Sequence, residues 1–179
     1  MSQERTGIAT LKGGPLTLLG PDLSVGDAAP QFTVRKGLAD VSSTDYDGTV
    51  RIISSVPSLD TPVCDQQTRR FNEEAAALGD VKILTISMDL PFAGNRFCET
   101  AGIDKVEVLS DYFNRDFGLK YGVLIKEHAL DMRAIFVVDQ NNTIVYKEIV
   151  SEMTEHPNYD AALEAARAAI GGTTATAGA

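Results

Sequence analysis

Residues 49–79 read TVRIISSVPSLDTPVCDQQTRRFNEEAAALG, and a change of pattern inside this stretch decides the fold. Its opening run, TVRIISSV, is β-branched and mostly apolar, the pattern of a strand buried on both faces. Pro57 ends that run. From Pro62 onward, Phe71, Ala75 and Leu78 fall on one face of a helix, and Gly79 supplies its stop. Between strand and helix lies Pro57-Ser58-Leu59-Asp60-Thr61-Pro62-Val63-Cys64. Thr61 has the chemistry of an N-cap, and Pro62 suits the first helical position, where its missing N–H costs nothing. Cys64 then falls in the first turn. A buried strand passing through a short loop into a helix is the unit of an α/β sheet, where sites gather at the carboxyl ends of strands.

Working outward, VKILTISM (81–88) reads as a second buried strand and residues 91–101 as a helix ended by Gly102. A short strand follows at 106–109, then a short helix or turn at 112–118. AIFVVD (134–139) and TIVYKEIV (143–150) read as two strands joined at Gln140-Asn141-Asn142. An alanine-rich helix spans 158–170. Upstream, GIATLKGGPLTLLG (7–20) reads as a hairpin turning at Gly13-Gly14, with a short strand near 32–34 after a Gly/Pro-marked connection. Strands alternating with helices predict a three-layer α/β domain with a mixed central sheet flanked by helices and preceded by a β-hairpin. Neither a repeat nor a linker interrupts it, so 1–179 reads as one domain. The tail, 171–179, has little to bury and is expected to be mobile.

The chain has 179 residues, 44% of them apolar, enough for a real core. No apolar run approaches the roughly 18 residues of a membrane span. The N-terminal MSQERTGIAT lacks the apolar centre of a signal peptide, which predicts a soluble, cytoplasmic protein. The net charge of −9, from 25 acidic and 16 basic residues, repels phosphate backbones and argues against nucleic acid as a partner. Two cysteines without a Cys-x-x-Cys spacing do not make a thioredoxin-type motif. Two scattered histidines, His128 and His156, do not complete a zinc site, and both lie in polar, exposed-looking stretches.

The first turn of a helix is where a cysteine gains reactivity. The thiolate is the nucleophile, and a free thiol with a pKa of about 8.5 is mostly protonated at neutral pH. Unpaired backbone N–H groups and the positive end of the helix dipole favour the anion there. The Thr61 hydroxyl is close enough in sequence to hydrogen-bond the sulfur or a bound oxygen. On composition alone, a small buried hydrophobe is an equally good reading of Cys64. Arg51, Arg69 and Arg70 are also near in sequence; the latter two read as solvated or paired with acids. Glu73-Glu74 and Glu152/Glu155 read as solvated faces.

Pro57, Thr61 and Cys64 match the pattern Pro-x-x-x-Thr/Ser-x-x-Cys, and with it the chain resembles the peroxiredoxin superfamily. SLDTPVCDQQTRRFNEEAA (58–76), VGDAAPQF (25–32), NRFCETAGI (95–103) and DMRAIFVVD (131–139) resemble its bacterial thiol peroxidase branch, the atypical two-cysteine peroxiredoxins. The likeness spans about residues 7–170. It implies a thioredoxin-like fold and a thiol-dependent peroxidase that needs no cofactor or metal. Cys64 resembles the cysteine that attacks peroxide and becomes a sulfenic acid. Thr61 would orient the peroxide, Pro57 would shield the sulfur from water, and Arg133 would hold the negative charge.

Cys98 resembles the resolving cysteine, which closes an intramolecular disulfide with Cys64 and protects it from overoxidation. Because a bridge needs Cα atoms within about 7 Å, the segments around Cys64 and Cys98 are expected to unfold locally between steps, helped by Gly94 and Gly102. The resemblance further implies thioredoxin as reductant, a homodimer, and a leaning toward organic hydroperoxides over hydrogen peroxide. A redox sensor using the same disulfide, a thioredoxin-fold disulfide reductase, and a domain with a merely structural bridge are the competing readings.

Overall fold

The hydrophobic runs found in the sequence become the centre of one mixed sheet. The computed structural model describes residues 1–171. In chain order its elements are β1 (Glu4–Leu11), β2 (Gly14–Leu19), β3 (Thr33–Lys36), β4 (Ala39–Ser42), a 3₁₀ turn (Ser43–Tyr46), β5 (Val50–Ser55) and α1 (Pro62–Leu78). They continue with β6 (Val81–Ser87), α2 (Pro91–Ala101), β7 (Glu107–Ser110), α3 (Asp116–Lys120), β8 (Leu124–Ile125), β9 (Ala134–Val138), β10 (Ile144–Ile149) and α4 (Tyr159–Gly171). The main sheet runs β10-β9-β5-β6-β7-β3-β4, and β1, β2 and β8 form a second, smaller one. β5, β6 and β7 are parallel, whereas β9 lies antiparallel to β5.

Both faces of the sheet are covered, which explains why β5 and β9 read as continuous apolar runs rather than alternating ones. Val50, Ile52, Ile135 and Val137 point to one face and pack with Phe71 of α1 and Leu163 and Ala166 of α4. Their neighbours Ile53, Phe136 and Val138 point to the other, against Leu18 of β2, Phe32, Phe117 and Tyr121. Each fully buried side chain of this kind contributes about 1.5–3 kcal/mol. The mixed sheet and the N-terminal hairpin are as the sequence predicts.

Four details differ from the sequence reading. The hairpin turns at Lys12-Gly13, not Gly13-Gly14: Leu11 pairs with Gly14, and both turn residues have positive φ, 49° and 79°. The reason lies far away in sequence. Glu152 accepts hydrogen bonds from the backbone N–H of Lys12 (2.8 Å), the N–H of Gly13 (3.1 Å) and the Thr10 hydroxyl (2.7 Å), so it clamps the turn and is not a merely solvated acid. Of the short helix or turn expected at 112–118, residues 112–114 form a turn and the third helix runs from Asp116 to Lys120, past the expected end. Arg115 is left-handed there, and the buried Asp111 carboxylate accepts from Phe117 N and Gly118 N at the helix start. β4 and β8 are short strands that the sequence does not announce. The expected mobile tail lies, from residue 172, outside the described residues.

Candidate active site

The register of β5 and β9 sets the site. Ser55, the last residue of β5, pairs with Ala134, the first of β9. Antiparallel pairing therefore puts Arg133 beside the loop that leaves β5 for α1. The Ser55 hydroxyl reinforces this by donating to the Met132 carbonyl at 2.8 Å. The loop is held in turn by Asp89, just beyond β6, which accepts from the Ser58 hydroxyl (2.8 Å) and from Leu59 N (2.7 Å).

Thr61 occupies the N-cap of α1 in extended conformation, Pro62 follows in the first turn, and Asp65 N donates to the Thr61 carbonyl at 3.0 Å. The Thr61 hydroxyl makes no bond to the helix. It donates to the Ser58 carbonyl at 3.0 Å, which commits its proton and leaves its lone pairs free to accept. Cys64 lies one turn in, fully buried, against Val56 and Leu59, with Phe97 and Val108 packed around them. Pro57 is buried beside them. A cleft of about 390 Å³, bordered by Leu59, Thr61, Pro62, Asp65 and Phe97, lies at the start of α1.

Arg133 is only 2% exposed, and no carboxylate pairs with it among the described residues. Its Nε donates to the Met153 carbonyl and its Nη1 to Oε1 of Gln67, both at 2.9 Å. Gln67 is fully buried one turn beyond Cys64, and its amide donates to the Ser54 hydroxyl at 2.6 Å. A guanidinium has five N–H groups, so three are left unengaged by these two bonds. Tyr159, at the start of α4, belongs to the same neighbourhood. Its ring packs on Phe71, the Arg70 guanidinium lies 4.4 Å from its centre, and its hydroxyl is 2.7 Å from His156 Nδ1. Burial pushes the phenol up, the charges of Arg133 and Arg70 oppose that, and Cys64 adds to it.

The structure thus brings Pro57, Thr61, Cys64 and Arg133 to one end of the sheet. Arg51 is at the other end of β5, bonded to backbone carbonyls and Asn142. Arg69 and Arg70 pair with Asp65 and Asp160, as expected of them. Gln67, Ser54 and Asp89 escape the sequence reading. Helical spacing places Gln67 on the buried face with Phe71, but only contacts between segments distant in sequence give the three a role. Among the described residues, no group of three or more His, Cys, Asp or Glu is placed to hold a metal ion.

Cys98 is a free thiol, as is Cys64, but it is turned toward a different cleft. It is half-buried in α2 and lines a cavity of about 410 Å³ with Lys36, Lys82, Asn95 and Lys105. Burial pushes its thiol up, with Lys36 pulling the other way. The two sulfurs therefore differ in surroundings: Cys64 is fully buried at a helix start, whereas Cys98 is half-buried beside lysines.

Comparison with known proteins gives these features a family. The Redoxin family model matches residues 24–163. The thiol peroxidase of Bacillus subtilis is 57% identical over 162 residues, covering 90% of this chain and 97% of that protein. The thiol peroxidase of Listeria innocua is 51% identical over 161 residues, covering 89% and 98%. A crystal structure of a peroxiredoxin-like protein from Aquifex aeolicus, 44% identical, superposes with a TM-score of 0.84 over 91% of this chain and 96% of that one. The chain belongs to the Redoxin family, with the mixed α/β architecture of its peroxiredoxin members. Within it, this is an enzyme of peroxiredoxin type, a thiol-dependent peroxidase.

Proposed function

We propose that Cys64 is the peroxide-reducing cysteine of this enzyme and that Cys98 resolves it. The observation that carries this reading is where two buried residues lie, both tied to the start of α1 at one end of the sheet. A cysteine sits in the first turn of α1, and a buried arginine without a carboxylate partner is tied to the same helix one turn on. A buried charge needs compensation, and a thiolate at Cys64 supplies it.

The cycle then runs as follows. The Cys64 thiolate attacks the nearer oxygen of a hydroperoxide, the O–O bond breaks, and the leaving alkoxide takes a proton to depart as alcohol. Cys64 is left as a sulfenic acid. Thr61, whose own proton is engaged by Ser58, accepts a hydrogen bond from the peroxide O–H. The free N–H groups of Arg133 hold the negative charge that develops on the oxygens. Pro57 keeps water from the sulfur. The Cys98 thiol next attacks the sulfenic sulfur, a disulfide forms and water leaves. A dithiol reductant of thioredoxin type returns both thiols. The cleft at the α1 start suits hydroperoxides with an organic substituent. We further read the enzyme as one domain acting as a homodimer.

Intact mass and thiol counts after one equivalent of an organic hydroperoxide test the cycle. The wild type should lose both thiols and about two mass units, the pair of hydrogens removed when thiols become a disulfide. Cys98→Ser should stop at sulfenic acid on Cys64, and Cys64→Ser should not react. Both thiols surviving in the wild type would overturn the reading.

A further inference from the structure

Met153 holds Arg133 with its carbonyl and is itself held by the N-terminal hairpin through its N–H. The carbonyl accepts from Arg133 Nε at 2.9 Å, and the N–H donates to the Thr10 carbonyl at 2.8 Å. We propose that Glu152 is a positioning residue through which the β1–β2 hairpin sets the place of the Arg133 guanidinium. The inference rests on the roles given above to Cys64 and Arg133.

Two sets of bonds build the link. Thr10 of β1 pairs in parallel with Glu152, and its N–H donates to the Ser151 carbonyl at 2.8 Å, so the hairpin edge fixes the backbone on both sides of Glu152. The Glu152 carboxylate reaches back to the hairpin, accepting from the Thr10 hydroxyl, Lys12 N and Gly13 N. It also reaches forward, accepting from Thr154 N at 3.3 Å and the Thr154 hydroxyl at 3.0 Å. That Thr154 N–H belongs to the peptide unit whose carbonyl receives the Arg133 proton. In a trans peptide the N–H and C=O point in opposite directions, so a carboxylate that holds one end aims the other at Arg133. The same segment holds the arginine's main chain, whose carbonyl accepts from Val150 N at 3.0 Å. A guanidinium is a rigid plane. Displacing the partner of its Nε therefore tilts the N–H groups offered to the thiolate and the reacting oxygens.

The test measures kcat/KM for an organic hydroperoxide, together with alkylation of Cys64 as a function of pH in the Cys98→Ser background, where one thiol reports. Glu152→Ala should lower kcat/KM by about tenfold, the scale of a small misplacement at a reacting centre, and move the alkylation profile to higher pH. The direction is diagnostic. Loss of a negative charge alone would favour the thiolate and move the profile to lower pH. Thr10→Val removes one bond to Glu152 and keeps the backbone pairing, so it should lower kcat/KM by about twofold to threefold in the same direction. Glu127→Ala is the control. Glu127 accepts from Thr17 N of β2 at 3.0 Å, so its loss loosens the same hairpin without touching residues 151–154, and both readouts should stay at wild type.

A folded Glu152→Ala protein with a wild-type profile and wild-type kcat/KM would overturn the proposal, as would one that loses only thermal stability. So would a Glu127→Ala protein that shifts the profile as far as Glu152→Ala does, since the effect would then belong to hairpin stability at large. If Glu152→Ala does not fold, Thr10→Val decides by the same criteria. Arg133→Met separates this inference from the site assignment. If it leaves the profile unchanged, the assignment of Arg133 fails; if it shifts the profile while the Glu152 and Thr10 variants do not, only the role of Glu152 fails.

Discussion

Phe97 and Cys98 are consecutive in α2 and border different clefts. Phe97 packs beside Cys64 and lines the cleft at the α1 start, while Cys98 lines the lysine-edged cavity. Successive helical residues point about 100° apart, so an intact α2 presents the phenyl ring, not the second thiol, to Cys64. If Cys98 resolves Cys64 as proposed, we expect α2 to come apart for the disulfide to close. Strengthening that helix should therefore slow closure without touching the reaction with peroxide. Asn95 is exposed on α2 and is a poor helix former. Asn95→Ala adds about 0.5 kcal/mol of helix propensity and should slow disulfide formation about twofold, as read by quenched-flow thiol trapping. An unchanged closure rate in a demonstrably stabilised helix would count against unwinding.

Thr61 offers a sharper test of the first step. Its hydroxyl proton is held by the Ser58 carbonyl, so Thr61→Val removes an acceptor from the site and one hydrogen bond from the loop. The stability cost should be about 1 kcal/mol. The peroxide rate should fall about a hundredfold, in the range for loss of one polar contact to the reacting group, with Thr61→Ser keeping most of the activity. A valine variant of wild-type rate would remove Thr61 from the mechanism.

Away from the site, Asp111 and Asp131 form a buried carboxyl pair. Burial pushes Asp111 up to about 6, and burial together with the Asp111 charge pushes Asp131 well above the carboxylate range. As two carboxylates they repel, and neither Asp131 oxygen then finds a donor. One shared proton relieves both problems. A folded-state pKa raised above the unfolded value means that the proton favours the fold. The pair's contribution is greatest below about pH 4 and is lost as pH rises through 6 and beyond. Asp131→Asn supplies a permanent donor to Asp111. It should raise stability at pH 8 by about 1–2 kcal/mol, with the advantage shrinking toward pH 4. Thermal melts of both proteins across that range check it.

Glu152 carries a linkage of the opposite sign. Hydrogen bonds from Thr10, Gly13 and Lys12 lower it to about 2. A depressed carboxyl contributes above its unfolded pKa of about 4.5 and loses that contribution as pH falls toward 2. Glu152→Ala should raise amide exchange in residues 4–19 at pH 7, and the wild-type hairpin should loosen in the same way in acid. Equal protection in both proteins would mean that the clamp is idle.

The architecture was legible where one segment's own pattern decides it. The runs at 49–56 and 81–88, the helix after Thr61-Pro62 and the position of Cys64 in its first turn all follow from local periodicity and capping. What escaped depends on contacts between distant segments. The hairpin turn sits at Lys12-Gly13 because Glu152 draws both N–H groups to itself. Gln67 lies four residues before Phe71, on the face that helical spacing buries, but its partner is set only when β9 brings Arg133 alongside. Asp89 likewise gains its role only because β6 lies parallel to β5. Arg133 itself was found through resemblance, since an arginine opening an apolar strand is unremarkable alone.

The pairing of β2 with β8 has a consequence for how this protein is made. Leu18 and Leu19 bond to Ile125 and Leu124, so the hairpin's second edge waits on the ribosome for more than a hundred further residues. β1 and β2 are neighbours and pair within microseconds. Until β8 emerges, however, β2 presents bare N–H and C=O groups, an edge open to other chains. Nascent chains stalled near residue 120 should therefore be cut or captured within residues 14–19. Chains released at full length should resist both.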